Sequence, residues 1–273
     1  MTLFNGLSGT IALLCGFGCW HSFRYYKNLD DLSDKLAIRW LTAGFLVEGI
    51  ALGSRWITEG AAPLTTLDGI FLTLSFSLAA ALLTGRLKTP VAVLTSLFLP
   101  FIFFLSLVAF GASLGEKPIM DIRLMTPGLA SHIFLTFLGF SYFTMGFGVA
   151  VAFWVQEGQL KHHQLKSWSY HLPALEILDN LTVFYIALGF LFWLGGFALG
   201  SVQAFQVWNR LPYSDPKILG SFLVLVIYAV FFLLRWGLRM RGKKSMTLVM
   251  AGYFLALFTF VGVRVFMTTQ HNF

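Results

Sequence analysis

Trp208-Asn209-Arg210-Leu211-Pro212-Tyr213-Ser214-Asp215-Pro216-Lys217 is the most polar break between two strongly apolar runs in the C-terminal half of the chain. Pro212 and Pro216 lack a backbone N–H, so they interrupt a helix and set up turns. Asp215 stands directly before Pro216, which suits an N-cap followed by proline at the first helical position. A short loop that combines Trp, Tyr, Arg, Asp and Lys offers stacking and hydrogen-bonding groups at a water–lipid boundary. It reads either as an interfacial aromatic anchor or as one wall of a ligand site.

The runs on either side of this loop set the class of the protein. Of 273 residues, 57% are hydrophobic and only 11% charged, against roughly 25% charged in soluble domains. The chain is therefore expected to be an all-α integral membrane protein. About 20 apolar residues span a bilayer as a helix, and that ruler marks eight segments: 3–23, 36–56, 64–84, 90–111, 129–156, 181–204, 217–238 and 245–267. No long polar or Gly/Ser-rich linker and no internal repeat divides them, so 1–273 reads as a single polytopic domain. The net charge of +7 sits in short loops and speaks for membrane orientation, not for nucleic-acid binding. Cys15 and Cys19 share a helix face without the spacing of a redox pair or of covalent haem attachment, and read as structural. No positive charge precedes the first apolar run, which is expected to persist as a helix instead of being cleaved.

Lys and Arg concentrate in the loops after segments 1, 3, 5 and 7, which hold Arg24, Lys27 and Lys35, Arg86 and Lys88, Lys161 and Lys166, and Arg235, Arg239, Arg241, Lys243 and Lys244. Those loops are predicted to be cytoplasmic and both termini to lie on the outer, non-cytoplasmic side. His162, His163 and His171 then fall in a cytoplasmic linker with a short interfacial helix over 173–178. His21 lies at a cytoplasmic helix end. Two histidines remain. His132 opens the fifth segment at its outer end and His271 lies just past the outer end of the eighth, on the same side as the Trp208–Lys217 loop.

Neutral imidazoles on two helices are suitable axial ligands for a haem iron. Arg210, Lys217 or Arg264 can pair with propionates. Thr136, Gly139, Tyr142 and Gly146 follow His132 at helical spacing and admit either a flat ligand or a neighbouring helix. The competing reading makes His132 a helix-start residue and His271 part of a frayed tail. Inside the membrane, Glu48 is expected to face the bundle, either protonated or partnered by Arg55 or Arg264. Glu48 and Asp68 read equally well as packing glue between helices.

The loop resembles the tryptophan-rich segment of the cytochrome c assembly proteins, the haem-handling membrane proteins of the CcsA and HemX type. That segment reads approximately Trp-Gly-x-Tyr-Trp-x-Trp-Asp-Pro-Lys-Glu-Thr, and this chain matches at Trp208 and at Asp215-Pro216-Lys217. Ser131-His132 with Leu138-Gly139-Phe140, the stretch 156–161, the stretch 172–179 and His271-Asn272-Phe273 resemble further family segments. The resemblance runs patchily over about 40–273, and eight helices suit the shorter HemX-like members. Pro212 and Ser214 replace two loop tryptophans, Ile218 and Leu219 stand in place of Glu-Thr, and Glu48 stands in an early helix where some members carry histidine.

The resemblance implies a part in cytochrome c maturation, with non-covalent haem b held or presented on the outer face of the plasma (inner) membrane. His132 and His271 are the expected iron ligands, and Trp208 and Asp215 shape the loop over the haem. The expected partners are the lipid bilayer, haem, another cytochrome c assembly membrane subunit and, indirectly, apocytochrome c. No nucleic acid is expected. No nucleophile–base pair or metal-hydrolase spacing appears, so catalysis of its own is not expected. Two other classes stay in play: a haem-free structural or regulatory subunit of a membrane complex, and a small-solute transporter, whose usual repeats and broken helices are not found.

Overall fold

The computed structural model describes residues 3–60, 62–89, 91–115, 125–161, 172–209 and 215–262. Among them lie eight α-helices: α1 (Leu3–Asn28), α2 (Asp31–Glu59), α3 (Leu67–Lys88), α4 (Ala92–Ser113), α5 (Pro127–Lys161), α6 (Leu175–Trp208), α7 (Pro216–Gly237) and α8 (Lys243–Leu257), the last continued by a π-turn, Phe258–Gly262. Each of the eight expected segments coincides with a helix among the described residues, α3 starting at Leu67 instead of at 64. Seven spans, α2 to α7 and α8 together with its π-turn, are long and apolar enough to cross a membrane. α1 has 26 residues and packs against α2 and α4. In lipid every backbone polar group must be satisfied internally, which helices achieve. The chain is a multi-pass membrane protein.

Local signals explain the helix ends. Asp30 caps α2, accepting the Leu32 backbone N–H at 3.1 Å and the Ser33 hydroxyl at 2.8 Å. The Ser33 hydroxyl, then the backbone N–H, hold its carboxyl below the usual aspartate range. Gly60, at φ +69°, ends α2 in the left-handed conformation that favours glycine. α7 starts as its sequence suggests: Asp215 accepts the Lys217 backbone N–H at 2.9 Å, and Pro216 occupies the first position. The start of α6 differs from expectation. The helix expected over 173–178 is not a separate interfacial element but the first turn of α6, because Leu175 and its successors continue without a break into the long run. Asp179, expected before the sixth span, therefore lies inside it. His162, His163 and His171 fall outside the described residues.

The helices form two compact units, 1–130 and 131–273. In the first unit α1 packs on α2 and α4, and α3 on α4 and α2. Polar contacts hold α2 and α3 in one antiparallel register: Arg86–Asp34 at 2.5 Å, Ser75–Glu48 at 2.6 Å and Arg55–Asp68 at 2.5 Å. Cys15 is buried with its Sγ 3.2 Å from where a Cβ on Gly44 would sit, and Cys19 is half-buried. Both thiols are free, and the Cys15 packing agrees with a structural role.

The second unit is built on rings. Phe143 stacks on Tyr228 at 4.2 Å and tilts against Trp193, Phe140 stacks on Phe260 at 4.6 Å, and Phe147 stacks on Tyr253 at 4.4 Å. These link α5 to α6, α7, α8 and the π-turn. Large rigid rings fill much volume with few rotatable bonds, and offset stacking adds about 0.5–1.5 kcal/mol per pair beyond burial.

Candidate functional site

The antiparallel order of α5 to α8 decides which ends meet. His132, in the second turn of α5, lies on α6 at Gly196 and Gly200. The Trp193 indole N–H donates to the Ser221 carbonyl at 3.2 Å, joining α6 to α7. A Cβ at Gly220 would fall 2.5 Å from Thr259 Oγ1, so the start of α7 lies against the π-turn. One end of the second unit thus gathers the start of α5 with His132, the end of α6 with Trp208, the start of α7 with Asp215, and the π-turn from which the chain runs on towards His271. At the other end the Lys243 Nζ lies 4.0 Å over the Trp154 ring.

His132 is held by the backbone. Its Nδ1 lies 2.7 Å from the carbonyl oxygen of Gly196. A carbonyl only accepts, so Nδ1 carries the hydrogen and the lone pair of the neutral imidazole is on Nε2. Metal-bound histidines are typically oriented in this way, with the distal ring N–H given to a carbonyl or carboxylate. The donor chemistry at His132 therefore fits a haem iron. Below it the Thr136 hydroxyl donates to the His132 carbonyl at 2.8 Å.

The face of α5 below His132 is taken by α6. A Cβ on Gly139 would sit 2.8 Å from the Trp193 backbone nitrogen, and one on Gly146 would sit 2.7 Å from Ile186 Cδ1. Of the two openings expected there, a flat ligand or a neighbouring helix, the helix is the one present. Asp215 is buried and acts as the cap of α7. Trp208 is the last residue of α6, followed by Asn209 in the left-handed conformation at φ +50°. His271, Arg210 and Arg264 lie outside the described residues.

Gly196 and Gly200 were missed as site residues. Their signal in the sequence is Gly-x-x-x-Gly inside an apolar run, a pattern that lets another element approach the helix backbone.

Glu48 faces the bundle, as expected, and Glu48 and Asp68 each join α2 to α3, but Arg55 is not the partner of Glu48. Glu48 is fully buried and accepts the Ser75 hydroxyl, while Arg55 bonds Glu59 and Asp68 instead. Arg55 sits 13 residues before Asp68 and two turns beyond Glu48, so the α2–α3 register brings it to the start of α3 and out of reach of Glu48. At the far end of the second unit Arg235, expected in a loop, is buried within α7 and bonds both carboxylate oxygens of Asp179.

A profile of the cytochrome C assembly protein family matches residues 64–271. The chain belongs to the cytochrome c assembly protein family. Among relatives, it is 23% identical to the cytochrome c biogenesis protein CcsA of Guillardia theta, over 82% of this chain and 80% of the relative. It is 24% identical to the CcsA of Trieres chinensis, over 93% and 91%. A shorter match, 27% identical over 45% of each chain, is to protein HemX of Bacillus subtilis. Membership in the assembly family supports a role in cytochrome c maturation, and the matched span takes in His132, Trp208, Asp215 and His271.

Proposed function

We propose that this cytochrome c assembly protein holds haem b non-covalently on the outer face of the plasma (inner) membrane and presents it for cytochrome c maturation. His132 and His271 are its axial ligands. The observation that carries this reading is the bond from His132 Nδ1–H to the Gly196 carbonyl, which leaves the Nε2 lone pair as the donor to iron. Haem, when bound, supplies an iron with two axial positions for imidazole. The chain's own part is to orient His132 through α6, to bring Trp208 and Asp215, the ends of the Trp208–Lys217 loop, to the same end of the second unit, and to cap α7 with Asp215. Lys161, Arg235, Arg239, Arg241, Lys243 and Lys244 stand at the opposite end from His132, a distribution that supports an outer position for the histidine. A neighbouring assembly subunit is the expected recipient of the haem, since this chain has no thiol pair of redox spacing.

The test is the absorption spectrum of the protein purified in detergent from haem-replete cells. Wild type should show a six-coordinate low-spin Soret band. His132→Ala or His271→Ala should give a five-coordinate or haem-free spectrum, His162→Ala and His163→Ala should leave it unchanged, and Trp208→Ala should lower haem retention without altering ligation. A His132→Ala, His271→Ala double variant with wild-type haem content and Soret band would overturn the site. Haem-free wild type would favour a structural or regulatory subunit.

A further inference from the structure

In an α-helix the side chain at a given position leans toward the N-terminus and covers the preceding turn. The carbonyl of residue 196 is therefore screened from the outside by whatever stands at residue 200, whose own N–H it accepts within the helix. Gly200 has nothing there. The His132 ring occupies that space: a Cβ at Gly200 would fall 2.6 Å from both Cε1 and Nδ1 of the imidazole and 3.3 Å from Nε2. Such distances are far inside van der Waals contact, and the same Nδ1 edge of the ring is held at Gly196 by the 2.7 Å bond. Gly196 matters for the same approach, since a Cβ on it would meet Thr136 Oγ1 at 2.8 Å.

We propose that Gly200 is a positioning residue for His132: by leaving the Gly196 carbonyl uncovered it lets the imidazole bond there and fixes the Nδ1–H tautomer, with Nε2 as the nitrogen that meets iron. The tautomer stands on the α5–α6 geometry alone, and only its use toward iron rests on the haem reading above. Any side chain at position 200 would push the ring off the carbonyl. Nδ1 would then lose its acceptor, and the tautomer preference would be lost with it.

The experiment uses the full chain in detergent with its histidines labelled with nitrogen-15, the His132 signals being assigned by their loss in His132→Ala. In the haem-free protein above the titration range of imidazole, wild-type His132 should show a protonated Nδ1 and an unprotonated Nε2. Gly200→Ala should shift it to a mixture or to the other tautomer. Gly195→Ala, one residue from the contact, where a Cβ would lie an ordinary 3.4 Å from Leu135 Cδ1, should leave it unchanged and controls for the change in helix propensity. In haem-loaded protein Gly200→Ala should lower haem affinity by about 10–100-fold, the range found when a partner of a metal-bound histidine is removed, and should shift the midpoint potential of what remains. Wild-type protein carrying the Nε2–H tautomer at His132 overturns the proposal without recourse to any variant, as does a folded Gly200→Ala with an unchanged tautomer. Protein that shows the expected tautomer and its loss in Gly200→Ala, yet takes up no haem, upholds the positioning role and refutes the haem reading.

Discussion

Two buried carboxyl groups, Glu48 in the first unit and Asp179 in the second, are accommodated in opposite ways. In the first, Glu48 of α2 has no exposed surface and accepts only the Ser75 hydroxyl of α3, its second oxygen having no partner among the described residues. In the second, Asp179 of α6 is buried against Arg235 of α7, each carboxylate oxygen taking one guanidinium N–H. A bidentate pair satisfies charge and hydrogen bonds together. A lone ionised carboxyl would cost far more in such a place than a neutral one, and Glu48 has no ion pair among the described residues. The lesson is that an acidic residue in an apolar run does not foretell an ion pair. The neighbouring helix decides, by what its register places opposite.

The largest effect that can break this comparison is at the ion pair. Arg235→Met leaves Asp179 buried without a counter-charge and should destabilise the protein by roughly 3–5 kcal/mol, seen as a lower unfolding temperature in detergent. The double variant Asp179→Leu, Arg235→Met should recover much of that loss, since apolar replacement of both partners is often nearly neutral. A single variant as stable as wild type would mean that water reaches the pair.

Next comes Ser75→Ala, which removes the one hydroxyl bonded to Glu48 among the described residues. Hydrogen bonds between membrane helices average about 0.6 kcal/mol and reach about 1.7, and full burial puts this one toward the upper figure. Denaturation in mixed detergent would resolve it.

The smallest effect sharpens the comparison most. Glu48→Gln keeps shape and the Ser75 bond and removes only the acid proton, so stability should change by about 1 kcal/mol or less. A loss in the range forecast for Arg235→Met would show that Glu48 is ionised and paired after all.

The amino-acid sequence by itself settled the membrane class, the eight helices and the α7 cap, because these are short-range matters. A run of some 20 apolar residues needs no partner to be a helix in lipid, and Asp215-Pro216 caps the helix that begins beside it. The motif residues likewise stood out, His132 by its place at a helix start and Trp208 and Asp215 by the family's loop. What only the tertiary structure decided were pairings between helices. Asp179 and Arg235 are 56 residues apart, and nothing local joins them. Thr136, Gly139 and Gly146 were equally suited to a ligand or a helix, and the packing of α6 chose the helix. Gly200 carries no chemistry of its own, so its role could not be read at its own position. It exists only because α5 and α6 run antiparallel in the one register that lays the His132 ring over a bare carbonyl.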